Sequence, residues 1–220
     1  MILSKRLQAI ANQVPSCKTM ADIGTDHGIL PIYLCLNHRI NQAYACDIAP
    51  KSLNKAIEKI KKYHLEKQIT PLLSDGMKML PQSVESIVIA GMGGHLMTKI
   101  LNESPHFHPH LILQANTHME MVRMWLMENQ YVIVDESIVF EKKQYYEIIH
   151  AKKTNESIFY DDFALKYGPI LMQKKDPIWL QKYHQLLITY TNIDRQLQQS
   201  QKKDVKLLQK IEEIKKIVQD

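Results

Sequence analysis

The chain has 220 residues, 45% of them hydrophobic and 23% charged, with a net charge of +5. That balance describes a globular protein with room for one ordinary domain and a small appendage. No apolar run approaches the roughly 20 residues of a membrane span, and Met1-Ile-Leu-Ser-Lys-Arg6 leads into a mixed amphipathic segment unlike a signal peptide. The expectation is therefore a cytoplasmic protein with no membrane partner. Cys17, Cys35 and Cys46 form no CxxC and read as reduced, buried thiols. From Lys152 onward 13 Lys and Arg face 9 Asp and Glu, whereas residues 1–151 carry only +1, a mild bias compatible with a polyanionic partner.

Leu3 to Ala11 has the spacing of an amphipathic helix, with Leu3, Leu7, Ile10 and Ala11 on one face and Pro15 beyond its end. Met20 to Pro31 then reads as strand, tight turn and helix start, with Gly24 and Gly28 bracketing the polar turn. Asp26 stands where a dinucleotide fingerprint needs its second glycine, so that motif is excluded. Gln42 to Ile48 is a second buried strand ending in Asp47, 23 residues beyond Gly24, a spacing suited to a carboxylate that accepts from ribose hydroxyls. The alternative for Asp47 is a cap on the helix that starts near Pro50. That helix is lysine-rich, with Leu53, Ile57 and Ile60 facing inward. Ile69 to Leu73 is a short strand at or near a sheet edge because Pro71 lacks a donor, and it ends in Asp75-Gly76. An aspartate there would accept from an adenine amine; as a bare dipeptide it is an ordinary turn.

Val84 to Gly94 is a β-branched run ending in Gly91-Met92-Gly93-Gly94, followed by a helix over His95–Leu101. Glycines at a strand end open space for a flat substrate, while tight packing accounts for one such glycine more readily than for three. His106, His108 and His110 alternate among prolines without an acid or cysteine at ligand spacing, so no metal is expected. Leu111 to Asn116 is a fifth strand, and Thr117 is taken as the start of the next helix. Tyr131–Phe140 and Gln144–Ala151 are joined so closely that they must form an antiparallel hairpin. Lys152–Ser157 is the candidate boundary, giving domains 1–155 and 156–220. Beyond Pro177, Trp179, Tyr183, Leu186, Tyr190, Ile193 and Leu197 form a heptad seam that resumes at Leu207, Ile211, Ile214 and Val218. Ser200 and Asp204 interrupt it, which suggests two helices folded back on each other and favours a monomer; one continuous helix in a dimeric coiled coil is the alternative.

Taken together, Leu3-Ser-Lys-Arg-Leu7, Ala21–Pro31, Asp75-Gly76, Ile89–Gly94 and Leu111–Asn116 resemble the TrmK family, bacterial tRNA (adenine-N1)-methyltransferases acting on the adenosine at position 22. Family members more often have Gln-Pro-Asn where this chain has Gln114-Ala-Asn116. The resemblance implies a Rossmann-like class I methyltransferase fold, an α/β seven-stranded sheet with a terminal antiparallel hairpin, plus a C-terminal antiparallel helical or coiled-coil appendage. It implies S-adenosylmethionine as cofactor, held by Asp22, Gly24, Asp26, Gly28, Asp47, Ile48, Asp75, Gly76, Gly91, Met92 and Gly93. It also implies tRNA as partner, met by Arg6, Gly93, Gly94 and Asn116.

Methyl transfer from a sulfonium demands alignment and tolerance of charge moving to the acceptor. Adenine N1 needs no deprotonation, but its product is cationic, so a carboxylate near the methyl group is useful. Asp26 is the candidate for that task or for accepting an N6 proton, with His27 orienting it and Asn116 on the base edge; a helix N-cap is the alternative for Asp26. Lys182, Arg195, Lys202, Lys203, Lys206 and Lys210 would meet phosphates if the tail is a tRNA-binding arm, and are otherwise a solvated helix face. Two rivals stay open: a protein or small-molecule methyltransferase with a dimerising tail, and a non-catalytic RNA-binding relative.

Overall fold

Buried apolar residues run consecutively through the central strands, so both sheet faces must be covered. The computed structural model describes residues 1–219; Asp220, the last residue of the expected helical domain, lies outside them. The strands are β1 Cys17–Ile23, β2 Ile40–Asp47, β3 Ile69–Leu73, β4 Ser86–Gly93, β5 His110–Thr117, β6 Tyr131–Glu141 and β7 Gln144–Lys153. They form one sheet in the order β3-β2-β1-β4-β5-β7-β6, in which β7 runs antiparallel to both neighbours and the rest pair in parallel. This is the seven-stranded arrangement with a closing hairpin that the sequence implied. Pro71 lies on the edge strand β3, where its missing donor breaks no ladder.

One face buries Met20, Val88 and Ile112 under α1 Lys5–Gln13, α2 Ile29–Leu36 and α3 Pro50–Lys62. The other buries Ala21, Ile87 and Leu111 under α4 Gly94–Asn102 and α5 Met119–Glu128. Two local expectations shift. Thr117 remains in β5 and α5 starts after His118, whose φ of 57° breaks the chain direction. In α3 the fully buried residues are Leu53, Ala56 and Ile60, because Ala56 packs against Gly28 and leaves Ile57 half-buried.

The chain divides into two compact units, Met1–Ile170 and Leu171–Asp220, fifteen residues later than the boundary expected at 155. The segment after β7 is tied to the first unit by side chains that the local sequence does not reveal. The Tyr160 hydroxyl accepts from Ile133 N at 3.1 Å, Arg123 Nη1 donates to Leu165 O at 3.2 Å, and Ile170 N donates to Glu136 at 2.9 Å. Helices α6 Asp162–Tyr167 and α7 Pro169–Lys174 follow one another here.

In the second unit, α8 Pro177–Gln199 and α9 Val205–Gln219 pack on each other. The two polar residues that broke the seam are the caps of the turn: Ser200 ends α8, and the Asp204 carboxylate accepts from Leu207 N at 3.0 Å to start α9. Leu207, Ile211, Ile214 and Ile217 are buried, so the α9 stripe ends on Ile217 with Val218 at its margin; Ile193 is exposed.

Candidate active site

The strand order reverses between β1 and β4, and in such sheets the crevice at the carboxyl ends of these strands receives ligands. After Asp22-Ile23 the chain turns at Gly24, whose φ is +74° and whose added Cβ would collide with Met92 Cε. Gly24 N and Thr25 N both donate to Cys46 O, at 2.9 and 2.8 Å, pinning the turn to β2. Asp22 is therefore held inward, 7% exposed, accepting from Thr25 Oγ1 at 2.7 Å. Burial pushes its carboxyl up to about 6, with the Thr25 bond opposing and the charges of Asp26 and Asp47 adding to the rise. Asp22, Gly24, Asp26, Arg6, Ile29 and Ala90 line a narrow cavity of about 50 Å³.

Asp26 does not cap α2. That helix starts after Gly28 without a side-chain cap, because His27 and Gly28 both take left-handed backbone conformations and turn the Asp26 carboxylate away from the helix end. The carboxylate is 84% exposed, with His27 Nε2 at 3.3 Å. Asp47 Oδ1 accepts from Ala49 N at 2.7 Å in the turn before Pro50, so one oxygen serves that turn. Beside it, Ile48, just past β2, and Leu73, the last residue of β3, have most of their apolar surface exposed. Asp75 is ion-paired with Lys78, whose hydrogen bond holds its carboxyl below the usual carboxylate range; Lys78 also reaches Glu103 at 3.1 Å. The structure thus brings Asp22 and Asp26 into one cavity and leaves Asp47 and Asp75 outside its walls.

A wider cavity of about 270 Å³ is lined by Ser4, Arg6, Gly91, Asn116, Glu141 and Tyr146, among others. Glu141, at the end of β6, accepts from Lys5 N at 2.8 Å and Arg6 N at 3.5 Å, a carboxylate at the positive end of α1. That anchors Arg6, whose guanidinium lies 5.5 Å from the Tyr146 ring centroid and walls both cavities. Arg6 Nη1 donates to Gln114 Oε1 at 2.8 Å, Gln114 Nε2 to Asn116 Oδ1 at 3.0 Å, and Asn116 Nδ2 to Gly91 O at 2.9 Å. The three glycines of the β4 end each have a packing reason, contrary to the expectation that packing accounts for one alone. Gly91 has φ +79° against Arg6, an added Cβ on Gly93 would press on Thr117 Oγ1 at 3.3 Å, and one on buried Gly94 would strike His118 O.

Gln114, Glu141 and Tyr146 were not foreseen as site residues. Gln114 stood in a recognisable strand end, but nothing local signalled Glu141 and Tyr146, which the hairpin brings to α1. In the second unit Lys202 and Lys203 lie in the α8–α9 turn, with Lys206 just inside α9, and all three are exposed. Arg195 and Lys210 are exposed too, and Lys210 Nζ lies 6.0 Å from the Tyr190 ring centroid. Lys182 is half-buried 5.0 Å from the Tyr183 centroid, and α8 carries it about 25 Å from the turn. Among the described residues there is no group of three or more side chains suited to a metal ion.

Residues 3–149 match the family described as "Methyltransferase domain". The tRNA (adenine(22)-N(1))-methyltransferase of Bacillus subtilis (strain 168) is 34% identical over 206 residues, covering 90% of this chain and 87% of the relative. The crystal structure of the B. subtilis m1A22 tRNA methyltransferase TrmK aligns with a TM-score of 0.82 at 31% identity, covering 99% of each chain. M. capricolum TrmK, in complex with the natural cofactor product S-adenosyl-homocysteine, aligns with a TM-score of 0.87 at 28% identity over 100% of this chain and 99% of that one. With the sheet order, the acidic turn after β1 and near-complete coverage in agreement, this chain belongs to the TrmK family of class I methyltransferases.

Proposed function

We propose that the chain transfers the methyl group of S-adenosylmethionine to N1 of the adenosine at position 22 of tRNA. The observation that carries this reading is the pair of adjoining cavities sharing Arg6 as a wall, one acidic and narrow, the other wider and lined by amide and aromatic groups. The residues suit the cofactor. Asp22 and Asp26 offer negative charge to its cationic centres, the second Asp47 oxygen is a ribose acceptor, and the exposed Ile48 and Leu73 side chains suit a flat base. S-adenosylmethionine, when bound, supplies an electrophilic methyl group. Asp26 stabilises the positive charge that develops on the adenine, and His27 steadies its carboxylate. Asn116, held by Gly91 O, meets the base edge at the wall of the wider cavity. The target base must be unpaired or flipped out, because pairing hides N1. The exposed lysines of the α8–α9 turn meet tRNA phosphates, and the packing of α8 on α9 supports a monomer. No helix among the described residues is long and apolar enough to cross a membrane, and a tRNA substrate is in keeping with a cytoplasmic enzyme.

The test is methyl incorporation from labelled S-adenosylmethionine into tRNA transcripts with adenosine or guanosine at position 22, alongside protein and metabolite extracts. Label in the adenosine transcript alone, with a reverse-transcription stop at that position, is the expected result. Label in the protein or metabolite fraction, or cofactor binding without turnover on any substrate, would overturn the proposal.

A further inference from the structure

The amide chain from α1 to β4 has a polarity that its two ends dictate. Arg6 has only donors and the Gly91 carbonyl is only an acceptor. Between them stand two carboxamides, Gln114, with no exposed surface, and Asn116, exposed at the wall of the wider cavity. With a guanidinium at one end, Gln114 must turn its oxygen to Arg6 and its NH2 to Asn116. Asn116 must then turn its oxygen to Gln114 and its NH2 to Gly91. Reversing either amide sets NH2 against guanidinium or oxygen against carbonyl, and a buried unmatched polar group costs about 1–3 kcal/mol. The β4 ladder slips between Ala90 and Met92, so Gly91 has no partner in the register and its carbonyl is available to Asn116.

Asn116 spends one of its two amide hydrogens and one of its two oxygen lone pairs on this chain. One N–H and one lone pair remain, in an order that the chain sets. N1 of the target adenine has to stay unengaged to receive the methyl group, which leaves the N7 acceptor and N6 donor as the edge an asparagine amide matches. Resting on the function proposed above, we infer that Gln114, held by Arg6, is a positioning residue that sets the polarity of Asn116, and that Asn116 grips the N6/N7 edge of the target adenine.

A tRNA carrying 7-deazaadenosine at position 22 lacks the N7 acceptor but keeps N1 and N6. Wild-type kcat/KM is expected to fall about tenfold on it, the worth of one hydrogen bond. Asn116→Ala and Gln114→Met are each expected to methylate natural tRNA at least tenfold less efficiently and to treat the two substrates alike, and the double variant is expected to be no worse than Asn116→Ala. Cofactor affinity and urea midpoint, measured on every variant, separate this from a general loss of structure, which would lower both rates without changing their ratio. A wild-type enzyme indifferent to the missing N7, or a Gln114→Met variant that keeps wild-type discrimination, would overturn the inference while the methyltransferase reading stands. No methylation of position 22 in natural tRNA by the wild type would overturn both.

Discussion

Arg123 and Asp22 are both buried charges in the first unit, one between α5 and the β6–β7 hairpin, the other at the carboxyl end of β1. Arg123 is wholly enclosed, with Glu136 at 2.8 Å, Glu147 at 2.7 Å and Leu165 O accepting at 3.2 Å. Asp22 is almost as enclosed, yet its side-chain partner is a neutral hydroxyl and its charged neighbours include two more acids. The first cluster seats a buried cation directly against two carboxylates and ties α5, both hairpin strands and the segment before residue 170 together. The second carries an unmatched negative charge into a cavity, an arrangement that costs stability in the unliganded protein and suits a cationic ligand. The difference teaches where to look for function in this fold: at the buried charge whose partner is missing.

Removing Arg123 should break the comparison most severely. Arg123→Met removes the buried guanidinium that Glu136 and Glu147 share and should destabilise the protein by about 3–5 kcal/mol in urea unfolding. Replacing all three residues with apolar ones of similar volume should recover most of that loss. Cofactor affinity of the folded protein should not change, since the cluster is remote in the sheet from the cavity.

Asp22→Asn should act in the opposite direction on stability. Unfolded, Asp22 titrates near 3.8; folded, near 6. Between pH 4 and 6 the folded form holds the extra proton, so this group makes stability fall as pH rises through that window, and the full cost persists above it. The asparagine variant should therefore be more stable than wild type at pH 7, by up to roughly 3 kcal/mol, with the gain gone below pH 4. Its cofactor affinity should fall, and wild-type affinity should itself decline below pH 6. Urea melts across pH with calorimetric titration would check this; a variant less stable at pH 7 would contradict it.

Asp26→Asn probes the exposed member of the same acidic pair. Turnover should drop about tenfold or more, as for loss of a hydrogen bond to a charged group, with cofactor affinity falling less than in Asp22→Asn. Because Asp26 helps raise the Asp22 carboxyl, the variant should also shift the Asp22 titration downward. Equal losses of stability and activity would instead assign Asp26 to the fold.

The smallest effect is expected in the second unit, where the charges are solvated. Replacing Lys202, Lys203 and Lys206 by Gln should leave cofactor affinity and fold intact and reduce the salt slope of tRNA binding, each lost phosphate contact lowering it by roughly 0.7–0.9. An unchanged slope would leave the α8–α9 turn a solvated face.

What the sequence determined by itself is local. Strand ends, glycine turns, the hairpin and the two tail helices follow from periodicity and turn chemistry within one or two elements. Ser200 and Asp204 were visible as breaks in a seam, and breaks of that kind become caps. The acids at the strand ends were visible because a strand and its following turn are contiguous. Tertiary structure decided everything that depends on which strands become neighbours. Arg6 and Gln114 are 108 residues apart, and Lys5 and Glu141 are 136 apart. No spacing rule joins them, because β7 inserts between β5 and β6 and only that order brings the hairpin to α1. The Arg123 cluster and the end of the first unit at Ile170 belong to the same class. So does Asp26, whose residue type suits a cap but whose carboxylate is turned away by two successive left-handed residues. A side chain's type sets which bonds it can make, while the packing of distant elements chooses which it does make.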